Sequence, residues 1–326
     1  MKPFLITIDT EGDNLWGRGA GAPSTRNAEF IPRFQDLCDE FDFKPTYLTN
    51  WEMAQAQPFV SLARAAIADG RAEVGCHIHA WDSPPHVAVT DDDHRYHPYL
   101  IEYPDQVLME KVRIHTTLLE DTFGCKMVSH RAGRWAMDER YARALIAHGY
   151  TVDCSVTPGV DWRAQPGSPA GKGGTDYRHF PQTPYYVDPD NLARPGISTL
   201  LEVPMTTRAS WISRSVPQMY QLPVVRSLAY RLAEPVHWLR LKRGNLNQVL
   251  QLIEREAGPA PYLEFMIHSS EFMPGGSPYF PAENDIEQLF ADMRQMFSAI
   301  ARTHRGMTMG DFAEQWRHSH PQKVAA

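Results

Sequence analysis

Short apolar runs alternate along the chain with longer stretches in which apolar residues recur every three or four positions. The short runs predict strands at residues 4–9, 44–49, 73–81, 127–131, 150–155, 200–205 and 262–268. The helical spacing predicts helices at residues 27–41, 59–69, 103–123, 138–148, 282–304 and 308–316. Three of these helices are followed directly by glycine, as is typical of helix ends. The alternation indicates a parallel sheet with crossover helices, and about seven β units suit a TIM-like α/β barrel.

Two segments depart from this alternation inside an expected single barrel domain that covers residues 1–326. Residues 157–197 are rich in Gly, Pro, Asp and Tyr and lack periodicity, which predicts a functional loop or a loop insertion. Residues 205–257 carry helical patterns that Pro223 and Pro235 interrupt, which predicts a helical insertion.

Composition narrows the class of protein. Hydrophobic residues are 43% of the 326 residues, enough for a sizeable core, and the chain has no run of 18 apolar residues that would predict a membrane span. The first apolar run is short and acids follow it at once, so a strand is expected there rather than a signal peptide. The four cysteines show no CxxC spacing, so reduced thiols in the cytoplasm are expected. The net charge of −7 argues against general nucleic-acid binding.

The charge is unevenly distributed along the chain. Residues 205–245 contain seven basic residues and one acid, a local charge of +6 that leaves −13 for the remainder. Aromatic residues, among them Trp211 and Trp238, lie between these cations. One interpretation is a surface that binds an anionic membrane leaflet or a lipid-linked glycan carrier. The alternatives are an insertion whose aromatics pack on the barrel while its arginines are solvated, and a dimer interface.

Polar residues with metal-binding chemistry follow two of the predicted strands. The first strand ends in Asp9 and Glu11, and the third ends in His77 and His79, each pair separated by one residue. Because strand side chains alternate, the members of each pair point to the same side. Two neighbouring carboxylates repel each other unless a cation lies between them. Two nitrogens and two oxygens suit zinc, and also cobalt, nickel or manganese.

Two further strands end in residues suited to proton transfer or charge pairing, His130-Arg131 and His268. The carboxyl ends of barrel strands share one end of the barrel, where the active sites of this architecture lie. Each motif alone has an ordinary structural explanation, such as capping or a buried ion pair, but their coincidence favours one active site. Residues 91–97 (DDDHRYH) could hold a second metal, although a solvated loop is the more common explanation.

Six stretches, in order along nearly the whole chain, carry a resemblance to a known family. They are ITIDTEGD (6–13), EVGCHIHAWDSPP (73–85), SHRAGRW (129–135), DCSVTPGVDWR (153–163), LLEVPMT (200–206) and MIHSSEFMPGGSPYF (266–280). This set resembles the NodB-homology polysaccharide deacetylases of carbohydrate esterase family four, and among them the WalW-like branch linked to lipopolysaccharide biosynthesis. The resemblance implies a distorted (β/α)7 barrel, one bound divalent metal, and hydrolysis of an N- or O-acyl group from a sugar.

The resemblance assigns catalytic roles by position. Asp9 matches the catalytic base, and Arg131 matches the arginine that orients this base. His268 matches the general acid, and Asp161 matches the carboxylate that supports the general acid. Gly133 stands where the family usually has proline.

The resemblance also assigns the metal ligands, most naturally for zinc. Glu11 matches the metal-binding carboxylate, and His77 matches the first metal-binding histidine. The family's usual second histidine falls at Trp81, so His79, which shares a strand face with His77, is the expected substitute.

The predicted function is a metal-dependent deacylase that acts on an acylated sugar or lipid-linked glycan in lipopolysaccharide or surface-polysaccharide assembly. We expect it in the cytoplasm, with peripheral contact to the inner membrane through residues 205–245. One alternative is a hydrolase of non-peptide C–N bonds on a small molecule, and another is an inactive carbohydrate-binding relative, which tryptophan in place of the second histidine favours. The expected substrate pocket consists of Trp16, Trp81, Trp135 and Glu271.

Overall fold

The computed structural model describes residues 1–13, 15, 24–210 and 235–321. Within these residues the α-helices are α1 (Ile31–Glu40), α2 (Gln57–Ala68), α3 (Asp93–Tyr96), α4 (Asp105–Phe123), α5 (Glu139–Ala147), α6 (Leu246–Glu256), α7 (Glu283–Ile300) and α8 (Met309–Ser319). The strands are β1 (Lys2–Thr10), β2 (Pro45–Thr49), β3 (Glu73–Ile78), β4 (Ser129–Ala132), β5 (Val152–Asp153), β6 (Tyr185–Tyr186), β7 (Leu201–Glu202), β8 (Thr207–Ala209), β9 (Val236–Trp238), β10 (Leu263–His268) and β11 (His304–Met307). Short 3₁₀ helices span Arg26–Phe30, Met53–Gln55, Leu100–Glu102, Gly133–Trp135 and Ser269–Phe272.

The main sheet is a curled, mostly parallel half-barrel. Its strand order is β10-β1-β2-β3-β4-β5-β7-β6, and β11 pairs in parallel with the first half of β1. Only β6 runs antiparallel, at the edge beside β7. The sheet and its helices confirm the predicted α/β barrel class, with parallel strands at all seven predicted positions.

The two edges of the half-barrel approach each other through irregular backbone. The amide of Glu264 in β10 donates to the side-chain oxygen of Thr206, just after β7, at 2.9 Å. The amide of Met266 donates to the carbonyl of Leu239 at 3.4 Å. Among the described residues no continuous strand ladder closes the barrel at this seam, in agreement with the distorted barrel that the family resemblance implies.

Alternating side chains of β1 separate two layers of the interior. Ile6 and Ile8 belong to the large apolar core that the sheet shares with the surrounding helices. Leu5 belongs to a smaller cluster on the concave side, with residues of β2, β5 and β7. Since successive side chains point to opposite faces, Thr7 and Asp9 follow Leu5 on the concave side. The inner face of β1 thus passes from apolar to charged towards the carboxyl end of the strand.

Helix α8 closes the end of the barrel where the strands begin. The amide of Met309 donates to the side chain of Thr46 at 3.0 Å, and the amide of Gly310 donates to Glu73 at 2.8 Å. Met309 and Phe312 pack into the concave apolar cluster. The opposite end, where the strands finish, carries the polar residues that the sequence singled out.

The elements differ from the prediction where long-range pairing decides them. The helix predicted at 282–304 ends at Ile300, because His304–Met307 pairs with β1 as β11. Part of the predicted helical insertion is instead an antiparallel pair of β8 and β9. Residues 211–234 of that insertion lie outside the described residues. No helix in the described ranges has both the length and the apolarity that a membrane span needs.

Candidate metal centre

Glu11, His77 and His79 converge at the carboxyl end of the barrel. His79 Nε2 lies 3.0 Å from both His77 Nε2 and Glu11 Oε2, and His77 Nε2 lies 3.5 Å from Glu11 Oε2. Two zinc ligands about 2.0 Å from one ion at a tetrahedral angle are about 3.3 Å apart, so this spacing fits a metal. In the part of the chain that the structure describes, this is the one such group of His, Cys, Asp and Glu side chains, and all three are buried.

The surroundings of His77 and Glu11 orient their donor atoms. His77 Nδ1 donates to the carbonyl of Arg131 at 3.0 Å, which leaves the lone pair of Nε2 towards Glu11 and His79. The amide of Glu11 donates to the hydroxyl of Ser269 at 3.1 Å, and Asn27 donates to the carbonyl of Glu11 at 2.7 Å. Burial alone would raise the pKa of Glu11, but His268, His77 and His79 hold it well below its ordinary value. The donor set is therefore fixed in a form that suits a cation.

Trp81, which stands where the family that the sequence resembles has its second histidine, lies beside the triad. Its ring lies 4.6 Å from that of His79 and stacks on His97 at 4.5 Å. His79 thus takes the place facing Glu11, as the shared strand face predicts, while Trp81 covers the outer side of its ring.

Gly133 allows the close packing behind His79. A β-carbon at this position would clash with the carbonyl oxygen of Ile78 and would lie 2.8 Å from Cδ2 of the His79 ring. Arg134 and Trp135, which follow directly, both adopt left-handed backbone angles, with φ of 55° and 64°. Such angles cost about 1–3 kcal/mol for a residue other than glycine, so the surrounding contacts must hold this turn in place.

Replacing Gly133 with alanine is expected to weaken metal binding. The added methyl group would displace the ring of His79, and disturbing the support of a ligand typically costs about 10–100-fold in metal affinity. Titration of the metal-free variant with zinc, followed calorimetrically, measures this loss. Gly258→Ala is the matched control, since its β-carbon would meet no atom within 4 Å. Equal affinity in the two variants would contradict the proposed packing role.

Asp9 and Arg131 form a buried ion pair next to the triad. Arg131 Nη1 donates to Asp9 Oδ1 at 2.6 Å, although β1 and β4 are separated by two other strands of the sheet. Burial raises the pKa of Asp9, but the charge of Arg131 and the weaker effect of His77 bring it below its ordinary value. Asp9 is therefore held as a carboxylate.

Arg131 also neutralises a second carboxylate that the sequence analysis missed. Its Nη2 donates to Glu264 at 2.6 Å and to the hydroxyl of Thr7 at 2.7 Å. Glu264 is fully buried, and burial raises its pKa to about 7 against the opposing effect of Arg131. A signal was available, because Glu264 is the only charged residue amid apolar ones in its strand and shares a face with His268.

Replacing Arg131 with methionine is expected to destabilise the fold by about 3–5 kcal/mol, because Asp9 and Glu264 would lose their buried counter-charge. Equilibrium unfolding in urea measures this change. Arg33→Met is the matched control. Arg33 pairs with Glu287 at 2.6 Å on the surface, and such pairs contribute about 1 kcal/mol or less. A loss no larger than that of the control would contradict the structural role of Arg131.

One ring nitrogen of His268 faces the triad, and the other faces the side chains of Arg240 and Glu271. Nε2 lies 3.8 Å from Asp9 Oδ2 and 3.7 Å from Glu11 Oε1. On the other side, Nδ1 lies 2.9 Å from Nη2 of Arg240 and 3.3 Å from Oε2 of Glu271. The ring thus occupies the space between the candidate base and the metal-binding carboxylate.

The carboxylate in contact with His268 is Glu271, whereas the sequence analysis expected Asp161 in this role. Arg163 donates to both oxygens of Asp161, to Oδ1 at 2.9 Å and to Oδ2 at 2.8 Å, and Arg178 lies 3.4 Å from Oδ2. These ion pairs hold the loop of residues 157–197 together rather than the ring of His268. Glu271 is fully buried and contacts His268, whereas the sequence analysis expected it in the substrate pocket.

The other residues singled out in the sequence, Trp135, Trp16 and His130, do not share one location. Trp135 is buried and covers the guanidinium of Arg131 at 4.7 Å, beside the half-buried rings of Trp162 and Trp238. Trp16 lies outside the described residues. His130 faces away from the site and bonds to Asp153 at 2.6 Å.

Comparison with known proteins identifies the fold. No protein-family model and no curated protein sequence matches the chain. A Mycobacterium smegmatis structure assigned as a polysaccharide deacetylase matches 100% of this chain and 95% of its own, with a TM-score of 0.53 and 14% identity. A Parabacteroides distasonis structure assigned as a glycoside hydrolase/deacetylase matches 98% and 72%, with a TM-score of 0.63 and 10% identity. Puue allantoinase matches 98% and 91%, with a TM-score of 0.51 and 11% identity. The chain therefore has the fold of the polysaccharide deacetylases.

Proposed function

We propose that this protein is a metal-dependent hydrolase that removes an N- or O-acyl group, most simply acetyl, from a sugar. The observation that carries the proposal is the convergence of the buried Glu11–His77–His79 triad with Asp9 and His268 at the open end of the barrel. These residue types supply a cation site, an ionised base and a hydrogen-bond donor within one small space. The polysaccharide-deacetylase fold supports the same conclusion.

Glu11 Oε2 and the Nε2 atoms of His77 and His79 would hold the metal, with zinc the first choice because the donors are nitrogen and carboxylate oxygen. A divalent ion there would polarise the acyl carbonyl group and lower the pKa of water. The carbonyl of Arg131 contributes by fixing the orientation of the His77 ring.

Asp9 is the proposed general base. Its Oδ1 is held by Arg131 at 2.6 Å, which leaves Oδ2 directed towards His268 and the triad. Because Arg131 keeps Asp9 ionised, the carboxylate can accept the proton of the water that attacks the acyl carbon.

His268 is the proposed donor to the departing amine or alkoxide. Its Nε2 faces both Asp9 and Glu11, so it can reach an atom that leaves the acyl carbon beside the triad. Glu271 and Arg240 fix the ring from behind.

A sugar substrate is favoured by the aromatic rings near the site. Trp162 and Trp238 are half-buried, and their rings lie 6.1 Å apart at 70° beside Trp135. We propose an acylated sugar or a lipid-linked glycan of lipopolysaccharide or surface-polysaccharide assembly as substrate, consistent with the WalW-like resemblance. Location in the cytoplasm stays a prediction.

Contact with an anionic membrane through residues 205–245 is a further part of the proposal. The described arginines of this segment are engaged with acids, since Arg208 pairs with Glu256 and Arg243 pairs with Asp285 at 3.1 Å. A membrane surface would therefore depend mainly on the cations among residues 211–234, outside the described residues.

Sedimentation with phospholipid vesicles tests this contact. Binding is expected to vesicles that contain phosphatidylglycerol, to weaken as salt rises, and to be absent on phosphatidylcholine alone. The combined substitutions Arg214→Gln, Arg226→Gln and Arg231→Gln should abolish this vesicle binding. Binding that is indifferent to salt or to these substitutions would contradict the membrane proposal.

Hydrolysis is tested with the zinc-loaded protein and a panel of N- and O-acetylated sugars, by measuring released acetate. Turnover of a sugar would support the proposal. Turnover of a cyclic amide such as allantoin, without turnover of any sugar, would favour the C–N hydrolase alternative. The fold likeness to an allantoinase is the reason to include this substrate. Sugar binding without any turnover would identify an inactive carbohydrate-binding relative.

A further inference from the structure

The Nδ1 atom of His268 contacts a cation as well as a carboxylate. Nη2 of Arg240 lies 2.9 Å from Nδ1 of His268. A guanidinium group has donors only, so at this distance Nδ1 must accept the hydrogen bond through its lone pair. A neutral imidazole with an accepting Nδ1 carries its proton on Nε2.

The other side of the ring leads to the same tautomer. Among the described residues, the charged atoms that face Nε2 are Asp9 Oδ2 at 3.8 Å and Glu11 Oε1 at 3.7 Å, and both are acceptors. A proton on Nε2 points towards these carboxylates, whereas a lone pair there would face two negative charges. The contacts on both sides of His268 therefore indicate the same tautomer, with the proton on Nε2 and a lone pair on Nδ1.

Glu271 holds the guanidinium in this position. Its Oε2 accepts from the backbone amide of His268 at 2.9 Å and from Nη2 of Arg240 at 3.1 Å. The same oxygen is 3.3 Å from Nδ1, longer than the contact that Arg240 makes. Asn245 adds a bond of 3.0 Å to the carbonyl of Arg240. The side chain of Arg240 is 11% exposed, so its geometry is set by the protein rather than by solvent.

We propose that Arg240 is a positioning residue that fixes His268 with Nδ1 as acceptor and Nε2 as donor. In this arrangement His268 donates a hydrogen bond from Nε2 to the departing atom, which refines the general-acid role that the resemblance implies.

The proton balance of the reaction follows from this arrangement. The proton that the leaving amine or alkoxide needs comes from the attacking water by way of Asp9, as the acyl C–N or C–O bond breaks and the new C–O bond forms. This route of the proton rests on the proposed function, whereas the tautomer of His268 does not.

Nitrogen-15 NMR of protein labelled at histidine tests the tautomer without any substrate. Two-bond proton–nitrogen correlations distinguish a protonated Nε2 from a protonated Nδ1, and the spectrum of His268→Gln assigns the signals of His268. We expect Nε2 to carry the proton in the zinc-loaded wild type. In Arg240→Met we expect the Nδ1-protonated form to become dominant, because Glu271 is then the nearest partner of Nδ1. Arg240→Lys, which keeps a cationic donor, should restore the wild-type pattern.

Arg243→Met is the matched control, since Arg243 lies three residues away and pairs with Asp285. Thermal unfolding of each variant verifies that it is folded, and the wild-type spectrum decides the tautomer even where a variant does not fold. A protonated Nδ1 in the wild type, or an unchanged pattern in folded Arg240→Met, would overturn the proposal. Failure of the proposed function is recognised separately, because absent acetate release with the expected tautomer leaves the role of Arg240 standing.

Discussion

Replacing His79 with alanine is expected to remove the bound metal. Wild-type protein reconstituted with zinc should hold about one ion per chain, held by three protein ligands. His79 Nε2 lies 3.0 Å from both other donor atoms, so its removal leaves two ligands and an open side. Changes behind a ligand cost about 10–100-fold in affinity, and loss of the ligand itself should cost more. Elemental analysis after dialysis measures the ion directly.

His94→Ala is the matched control for this experiment. His94 is exposed in α3, within the acidic stretch that could be taken for a second metal site from its sequence. Its neighbour Asp93 instead accepts bonds from the amide of Thr90 at 2.8 Å and from the hydroxyl of Tyr103 at 3.2 Å, so this segment is a capped turn. Metal retained in full by His79→Ala would show that the triad is not the site. A wild type that takes up no divalent ion would favour the inactive carbohydrate-binding relative.

Replacing Asp9 with asparagine is expected to lower kcat/KM for the acetylated sugar by about 10²–10⁴-fold. Asparagine keeps the size of the side chain and an oxygen that can accept from Arg131, but it cannot take a proton from water. Because Asp9 is not one of the three converging metal donors, zinc content should stay at the wild-type level. Released acetate and elemental analysis on the same preparation measure both quantities.

Asp13→Asn provides the comparison for Asp9→Asn. Asp13 follows in the same motif, and its carboxylate accepts from Ser24 at 3.3 Å and from the amide of Asn27 at 3.2 Å. This substitution makes the same chemical change at the rim, so activity should change little. Full activity of Asp9→Asn would refute the assignment of the base, whereas loss of zinc in that variant would show that Asp9 acts through the metal site.

Interactions within one strand could be predicted from the sequence, because a period of two determines which residues share a face. That rule predicts a shared side for His77 and His79, whose Nε2 atoms lie 3.0 Å apart, and for Asp9 and Glu11, which both face Nε2 of His268. The seven parallel strands were predicted for a similar reason, since buried strands have a local apolar signature.

Contacts between distant parts of the chain could not be predicted in this way. Glu264 reaches Arg131 across the barrel, and Arg240 reaches His268 from an insertion whose pattern suggested only helix. Asp161 was assigned by its position in a motif, but ion pairs with Arg163 and Arg178 direct it elsewhere. These partners depend on the curvature of the sheet and on irregular loops, which leave no periodic signal in the sequence.

Arg131 binds two functional groups at once, because its carbonyl holds His77 and its side chain holds Asp9. A ligand of the metal and the candidate base are thus tied to a single residue of β4, and a shift of that strand carries both in the same direction. We therefore expect the separation of His77 and Asp9 to vary little when β4 moves.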